Sequence, residues 1–469
     1  MGAPLRVRSV ACSFLLAVAL ASPAAAQFVN DTDFKLKGED SLVVTPEPRR
    51  WDVAALEVLT LNFVTWAFGH YVLDGYWTQI SMESVDINLR HGFEWDPNMF
   101  KNNFNSHPYH GNTYFNAART NGMNFWESVP YAFTGSLTWE IFMESEFPSY
   151  GDLIMTTMGG ISLGETLYRL SEQTLDDRTS GTERIFREIG ATALNPVGGF
   201  NRLVRGDMFK NSARVNHLRN PVAGYLAWGT SSNVNSSDLG ELAINHAYEL
   251  TFRYGDPYRL ASSRKPFDYF TFRLWVSSRP EKSNVSIIQQ AVLVGRNYQD
   301  GHDGEIRHLA GLFQHYDYVN LDLFNYGGVT LAPGLVSRWP LGKSWTLGTG
   351  VHAGWLMLGG SNNEYFTNTQ GRNYNYTMGA KAKATITLSH DKLGDLLLDS
   401  WYFWMTGIEG IPGDDYIGQL NVVYNHKIYK GLGLGLEGYL YDRRGQYVGY
   451  PESHVTVKGV RLLLTYGFY

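Results

Sequence analysis

The residues able to do chemistry cluster in the first half of the chain. His107 and His110 lie in His107-Pro108-Tyr109-His110-Gly111, with Arg119 a little further on. Ser136, Glu140 and Glu144 are spaced i, i+4, i+8, which would put them on one face of a helix. Asp152 follows, then Glu165 with Arg169 and Glu183 with Arg187, each pair four residues apart. A histidine beside a carboxylate can act as a general base, and two carboxylates in different environments can divide acid and base roles. His107, His110, Glu140 and Glu144 could instead hold a metal, although His-x-x-His is a weak signal and Pro108 disfavours a helical ligand pair. The third reading is structural: the Glu-Arg pairs are ion pairs that hold a helical plug in a polar lumen. The sequence leaves all three open, so enzyme activity is undecided.

Helical segments must position these residues. Trp51 to Leu73 is apolar enough to suggest a membrane helix, but it contains Glu57, Asn62 and His70. A buried or interfacial helix fits better. Asn124 to Ser145 and Tyr150 to Thr174 form two more helices, broken at Pro148-Ser149, with Asp152 early in the second, where a carboxylate suits the dipole. Thr182 to Ala193 is a shorter helix, expected to be capped by Thr182 and ended by Asn195-Pro196. Gly160-x-x-x-Gly164 would allow close helix packing.

Near residue 215 the period changes from helical to two. Tyr248, Leu250, Phe252 and Tyr254 alternate with Glu249, Thr251 and Arg253, and Phe270, Phe272, Leu274 and Val276 with Thr271, Arg273 and Ser277. Met378 to Leu388 alternates apolar residues with Lys381, Lys383, Thr385 and Thr387, and Leu420, Val422 and Tyr424 alternate with Gln419, Asn421 and Asn425. Charges at mid-strand on one face, with aromatics ending the other, separate a membrane barrel from a soluble sandwich. Turns are expected at Gly255-Asp256-Pro257, Gly301 to Gly304, Gly359 to Asn362 and Gly413 to Asp415. About twelve strands are expected, an even number as in single-chain bacterial barrels. The last, from Val460 to Tyr469, would close the barrel and carry the signal for the barrel assembly machinery.

Composition agrees. Of 469 residues only 18% are charged, against roughly 25% in ordinary soluble proteins. Aromatics reach 14%, while mean hydropathy is only −0.24. The aromatic load excludes disorder, and the lack of several long apolar runs excludes a polytopic helical membrane protein. A net charge of −6 without a basic block gives no support for nucleic-acid binding. Residues 1–26 read as a signal peptide, with Arg6 and Arg8, an apolar core from Val10 to Leu20, and Ala24-Ala25-Ala26 for cleavage. Cys12 is the one cysteine and precedes most of that apolar core, so neither a lipid anchor nor a disulfide is expected. No Gly-x-Ser-x-Gly elbow, phosphate loop or zinc-protease motif occurs, and no cofactor is expected.

The run from His107 through Arg119, then Asn124-Phe125-Trp126-Glu127-Ser128, Ser136-Leu137-Thr138-Trp139-Glu140, Pro148-Ser149 with Asp152-Leu153, and Gly164-Glu165 with Arg169-Leu170-Ser171, resembles bacterial domain-of-unknown-function family 3943. The resemblance covers roughly residues 50 to 210. It implies an exported envelope protein with a C-terminal barrel and assigns no catalytic residue.

The expected organisation is a signal peptide (1–26), a linker (27–50), a helical domain (51–215) and a transmembrane all-β barrel of antiparallel strands (216–469). The expected location is the outer membrane, with its lipid as partner and a small molecule or lipid as candidate ligand. The leading reading is a binding or transport channel plugged or capped by the helical domain. The alternatives are an enzyme acting on lipid or another envelope component through the His/Glu/Arg cluster, and a structural scaffold.

Overall fold

The computed structural model describes residues 48–212, 220–235, 243–279, 282–301, 305–321 and 325–468. The expected signal peptide, and nearly all of the linker, lie outside the described residues. The chain divides into two compact units, one ending at Arg219 and the other beginning at Asn220.

The first unit is helical. Its helices are α1 (Trp51–Tyr71), α2 (Met82–His91), α3 (His107–Arg119), α4 (Phe125–Phe142), α5 (Tyr150–Ile154), α6 (Gly160–Thr174), α7 (Gly181–Leu194) and α8 (Pro196–Arg205). Local chemistry sets several starts. Asn124 and Glu127 form a reciprocal capping box for α4. The Ser149 hydroxyl accepts from the Asp152 amide at 3.1 Å and opens α5 at the expected break. Asn195 accepts from the Gly198 amide, and Pro196 takes the first turn of α8. A π-helical segment, Asn102–Ser106, runs into α3, and another, Met155–Gly159, joins α5 to α6.

Helix α3 packs on α6, α4 and α1. The α3–α6 contact is between backbones: a Cβ on Gly160 would lie 2.6 Å from the backbone of Gly111, and one on Gly164 would lie 2.8 Å from the Phe115 ring. The expected close packing at Gly160-x-x-x-Gly164 is thus present. Several expectations need correction. Pro108 sits in the first turn of α3, where a missing N–H costs nothing, so both histidines share one helix. Helix α4 ends at Phe142, so Glu144 lies beyond it on the following turn. Thr182 lies inside α7, whose N-cap position is Ser180. Of the two expectations for α1, buried or interfacial, burial does not hold, because only Ala54, Val58, Asn62 and Gly69 are enclosed.

The second unit is a closed barrel of twelve antiparallel strands. They are β1 (Val222–Asn235), β2 (Ala243–Tyr254), β3 (Phe270–Arg279), β4 (Lys282–Asp300), β5 (Ile306–Asn320), β6 (Asn325–Pro340), β7 (Trp345–Asn362), β8 (Tyr374–His390), β9 (Gly394–Glu409), β10 (Gly413–Tyr429), β11 (Leu432–Tyr447) and β12 (Ser453–Phe468). The last strand closes the sheet against the first, from Gly224 opposite Phe468 to Asn235 opposite Val457. Closure leaves no free edge, which a bilayer requires.

Two expected turns are strands. Gly359 to Asn362 continues β7, because Gly328 of β6 approaches Gly359 too closely for a side chain. Gly413 to Asp415 begins β10. Alternation holds along β10 to β12, where Leu420, Val422, Leu434, Leu436, Leu462 and Leu464 face outward while Glu437, Arg443 and Arg461 are buried in the lumen.

Candidate functional site

The helical unit contains two polar clusters of different kinds. The first joins α3 to α6. Glu165, fully buried, receives Arg119 Nε at 2.7 Å and Arg169 Nε at 2.8 Å. The Arg119 guanidinium also lies 4.2 Å above the Tyr168 ring. Burial works against the Arg119 charge, but the Glu165 carboxylate outweighs it and raises the pKa. Two cations on one anion form a closed structural unit.

The second cluster surrounds the end of α4. Glu140 Oε2 accepts from the Ser149 amide at 2.8 Å, and the Ser149 hydroxyl donates to Asp96 Oδ1 at 3.0 Å. Glu144 hydrogen-bonds the Glu140 side chain and accepts from Trp139 Nε1 at 3.0 Å. Asp152 Oδ2 is 3.5 Å from His107 Nε2, while the other Asp152 oxygen is buried without a hydrogen-bond partner. His107 Nδ1 is 3.3 Å from Thr156 Oγ1. His110 Nε2 is 2.8 Å from the Tyr114 hydroxyl, which donates to Asn62 on α1. The His110 ring also packs edge-on against Trp139, with centroids 5.2 Å apart.

The two π segments sit here: His107 directly follows one, and Thr156 belongs to the other. Such wide turns are frequent at functional sites.

This cluster has four carboxyl groups, on Asp96, Glu140, Glu144 and Asp152, and no arginine or lysine among their contacts named above. Burial raises Glu140 well above the usual carboxylate range, and the Glu144 and Asp152 charges push the same way. Burial lifts Glu144 to about 8, against the opposing hydrogen bonds from Glu140 and Trp139. Asp152 is raised well above its usual value by burial and by Asp96. Both histidines are lowered by burial, His110 to about 3 with help from His107. Burial therefore pushes both the carboxyls and the imidazoles of this cluster towards their uncharged forms.

Among the sequence candidates, His107, Asp152, Glu140 and Glu144 meet through Ser149 and the Glu-Glu contact, and His110 joins through Trp139 and Tyr114. Arg119, Glu165 and Arg169 form the separate ion-paired group. Sequence reasoning missed Asp96, Asn103, Ser149 and Tyr114. Asn103 Nδ2 donates to both Asp96 oxygens at 3.0 Å, and no spacing rule links either residue to Glu140. Among the described residues, no group of three or more His, Cys, Asp or Glu has metal-holding geometry.

The barrel lumen supplies a third polar region. Arg273 of β3 reaches Glu249 of β2 at 3.0 Å and Glu437 of β11 at 2.8 Å. Arg461 of β12 meets Glu437 at 2.8 Å and stacks over Trp275 and Tyr439. Lys381 of β8 pairs with Asp317 of β5 at 2.5 Å. The Tyr326 hydroxyl of β6 donates to Gln419 of β10 at 2.8 Å. Arg273–Glu437, Lys381–Asp317 and Tyr326–Gln419 join strands that are not neighbours in the sheet, so they cross the lumen, while Glu249–Arg273 and Glu437–Arg461 link adjacent strands. At the end where β1 begins and β12 ends, a cavity of about 310 Å³ remains, lined by Glu249, Arg273, Gln290, Lys383, Asp399 and Asn425 among others.

Residues 92–197, within the helical unit, match the model of the family described as Domain of unknown function (DUF3943). No curated protein matches the chain. Its barrel is similar to solved outer-membrane barrels. The outer membrane phospholipase A from Escherichia coli matches at 13% identity and TM-score 0.27, over 53% of this chain and 93% of that one. A KdgM porin in complex with disordered oligogalacturonate matches at 12% and 0.22, over 52% and 99%. The Pseudomonas putida toluene transporter TodX matches at 11% and 0.23, over 54% and 90%. The likeness concerns the barrel fold.

Proposed function

We propose that the protein is exported to the outer membrane, offers its last strand to the barrel assembly machinery, and works there as a binding or transport barrel with a closed resting lumen. The carrying observation is the band of ion pairs Glu249–Arg273–Glu437–Arg461, which crosses the lumen between Arg273 and Glu437, beside a cavity of about 310 Å³ with charged groups among a largely apolar lining. Both charge signs line that cavity, which suits a small polar ligand carrying donors and acceptors. In this reading the helical unit restricts conduction as a cap and not as a plug enclosed in the lumen. Planar-bilayer conductance separates the two closures. The whole protein should conduct weakly, Glu437→Gln should open the ion-pair band, and deletion of residues 50–210 should raise conductance if the helices obstruct. Conductance unchanged in both variants would defeat the channel reading.

A second reading rests on the Glu140–Glu144–Asp152 group beside His107, where burial pushes the carboxyls towards their protonated forms and so suits acid-base chemistry on an envelope lipid. Turnover of phospholipid in liposomes that disappears in both Glu140→Gln and Asp152→Asn would support it. Absence of turnover by the unaltered protein would sink it for that substrate.

A further inference from the structure

The helical unit has its polarity turned inside out, and we propose that its outer surface is a lipid-binding surface seated among the acyl chains of the bilayer. On α7, Arg184 and Glu188 are 6% and 7% exposed, while Ile185 and Ile189 are 58% and 59% exposed. The buried charges form a network in which Arg184 and Arg202 both meet Asp177 and Glu188 at 2.7 to 2.9 Å. On α8, Asn201 is buried and Phe200, Leu203 and Val204 are exposed. On α1, Asn62 turns inward to Tyr114 and to the Gly135 carbonyl, and Glu57 accepts from Asn121 and Asn201. Leu56, Leu59, Phe63, Val64 and Phe68 face outward. On α4, Ser128, Gly135, Ser136 and Glu140 are enclosed, while Trp126, Phe133 and Phe142 are exposed.

A water-soluble helical domain buries apolar residues and exposes polar ones. Four helices here do the reverse, and the interior uses small residues and interhelical hydrogen bonds, as membrane helices do.

The exposed hydroxyls give an independent sign. Thr60, Thr134 and Thr138 each donate to the carbonyl four residues back on their own helix, at 2.7 to 2.8 Å. That arrangement satisfies a hydroxyl without water. Lipid is the occupant that these features favour over a protein partner. The outward face of α4 from Trp126 to Phe142 carries no charge for a partner to pair with, because Glu127 caps the helix and Glu140 is enclosed. The barrel of the same chain presents a comparable apolar face at Leu434, Leu462 and Leu464.

The test uses the full chain in vesicles of phosphatidylethanolamine and phosphatidylglycerol with brominated acyl chains. Single cysteines are placed in a Cys12→Ser background and labelled with a fluorophore that bromine quenches. Leu59→Cys, Phe63→Cys and Val204→Cys probe the helical unit, Leu462→Cys marks the lipid-facing barrel, and Lys343→Cys marks a strand-connecting turn. Retained heat-modifiable gel migration checks that each variant is folded. Quenching at 59, 63 and 204 as deep as at 462, with none at 343, is the expected result. Quenching at 462 alone would overturn the proposal. So would disulfide cross-linking between copies through residue 63 or 204 without lipid quenching, which would assign the face to a second copy of the chain.

Discussion

The ion pairs of the barrel lumen and the carboxyl groups around Glu140 are both removed from water, yet they manage their charge differently. In the lumen, Glu437 sits between Arg273 and Arg461, and Asp317 has Lys381. At the end of α4, Glu140, Glu144 and Asp152 face one another beside His107 and His110. Opposite charges in a fixed geometry repay part of the desolvation cost. Like charges cannot, so burial pushes the α4 carboxyls towards their protonated forms. The lumen is therefore built to keep its shape, while the α4 cluster has protons it could exchange. The Arg119–Glu165–Arg169 group, inside the helical unit, follows the rule of the lumen.

Equivalent substitutions should break this symmetry. Glu437→Gln leaves Arg461 without its carboxylate and Arg273 with one instead of two. It should destabilise the barrel by about 3 kcal/mol, in the range for breaking a buried pair, as read by urea unfolding followed by Trp fluorescence. Glu140→Gln replaces a carboxyl that burial already pushes towards its neutral form, and it should cost less than about 1 kcal/mol in the same assay. Equal costs would erase the distinction between the two regions. Gly160→Ala tests the scaffold beneath the α4 cluster. Its Cβ would meet the Gly111 backbone at 2.6 Å, and overpacking of this kind costs about 1–3 kcal/mol.

The next effect is a slope with pH. Glu144 titrates near 8 in the folded unit, far above its ordinary value. The folded state therefore holds the extra proton, and that contribution to stability is full at low pH and lost as pH rises towards and through about 8. His110 acts in the opposite sense: held near 3, it contributes stability near neutrality that is lost as pH falls from its ordinary value towards about 3. Glu144→Gln should flatten the alkaline limb and leave the acid limb in place. The smallest effect belongs to the exposed Glu183–Arg187 pair, where Glu183→Ala should shift stability by about 0.5 kcal/mol or less.

Much of the architecture was legible because strand alternation is enforced by the bilayer. Val460, Leu462, Leu464 and Tyr466 do face outward, and the last strand does close the barrel. The helical spacing of Glu165 and Arg169 also reported a real pair. The α4 cluster was only half legible. Its members come from four separate stretches, and Asp96 and Ser149 reach Glu140 through a loop contact that no period encodes. Nor did periodicity reveal the inverted helices. An apolar stripe looks the same in sequence whether it faces a core or lipid, and only the enclosure of Arg184 and Glu188 distinguishes the two. The glycines of β7 misled for a related reason, since Gly359 serves a close strand approach instead of a turn.

The contrast between paired and proton-holding carboxyls is tested most directly by infrared titration of the whole protein in lipid vesicles. A carboxylic acid C=O band should be present at pH 7, shrink as pH passes about 8, and lose part of its intensity in Glu140→Gln and in Glu144→Gln, while Glu437→Gln leaves it unchanged. A band absent at pH 7, or one removed by Glu437→Gln instead, would contradict the account.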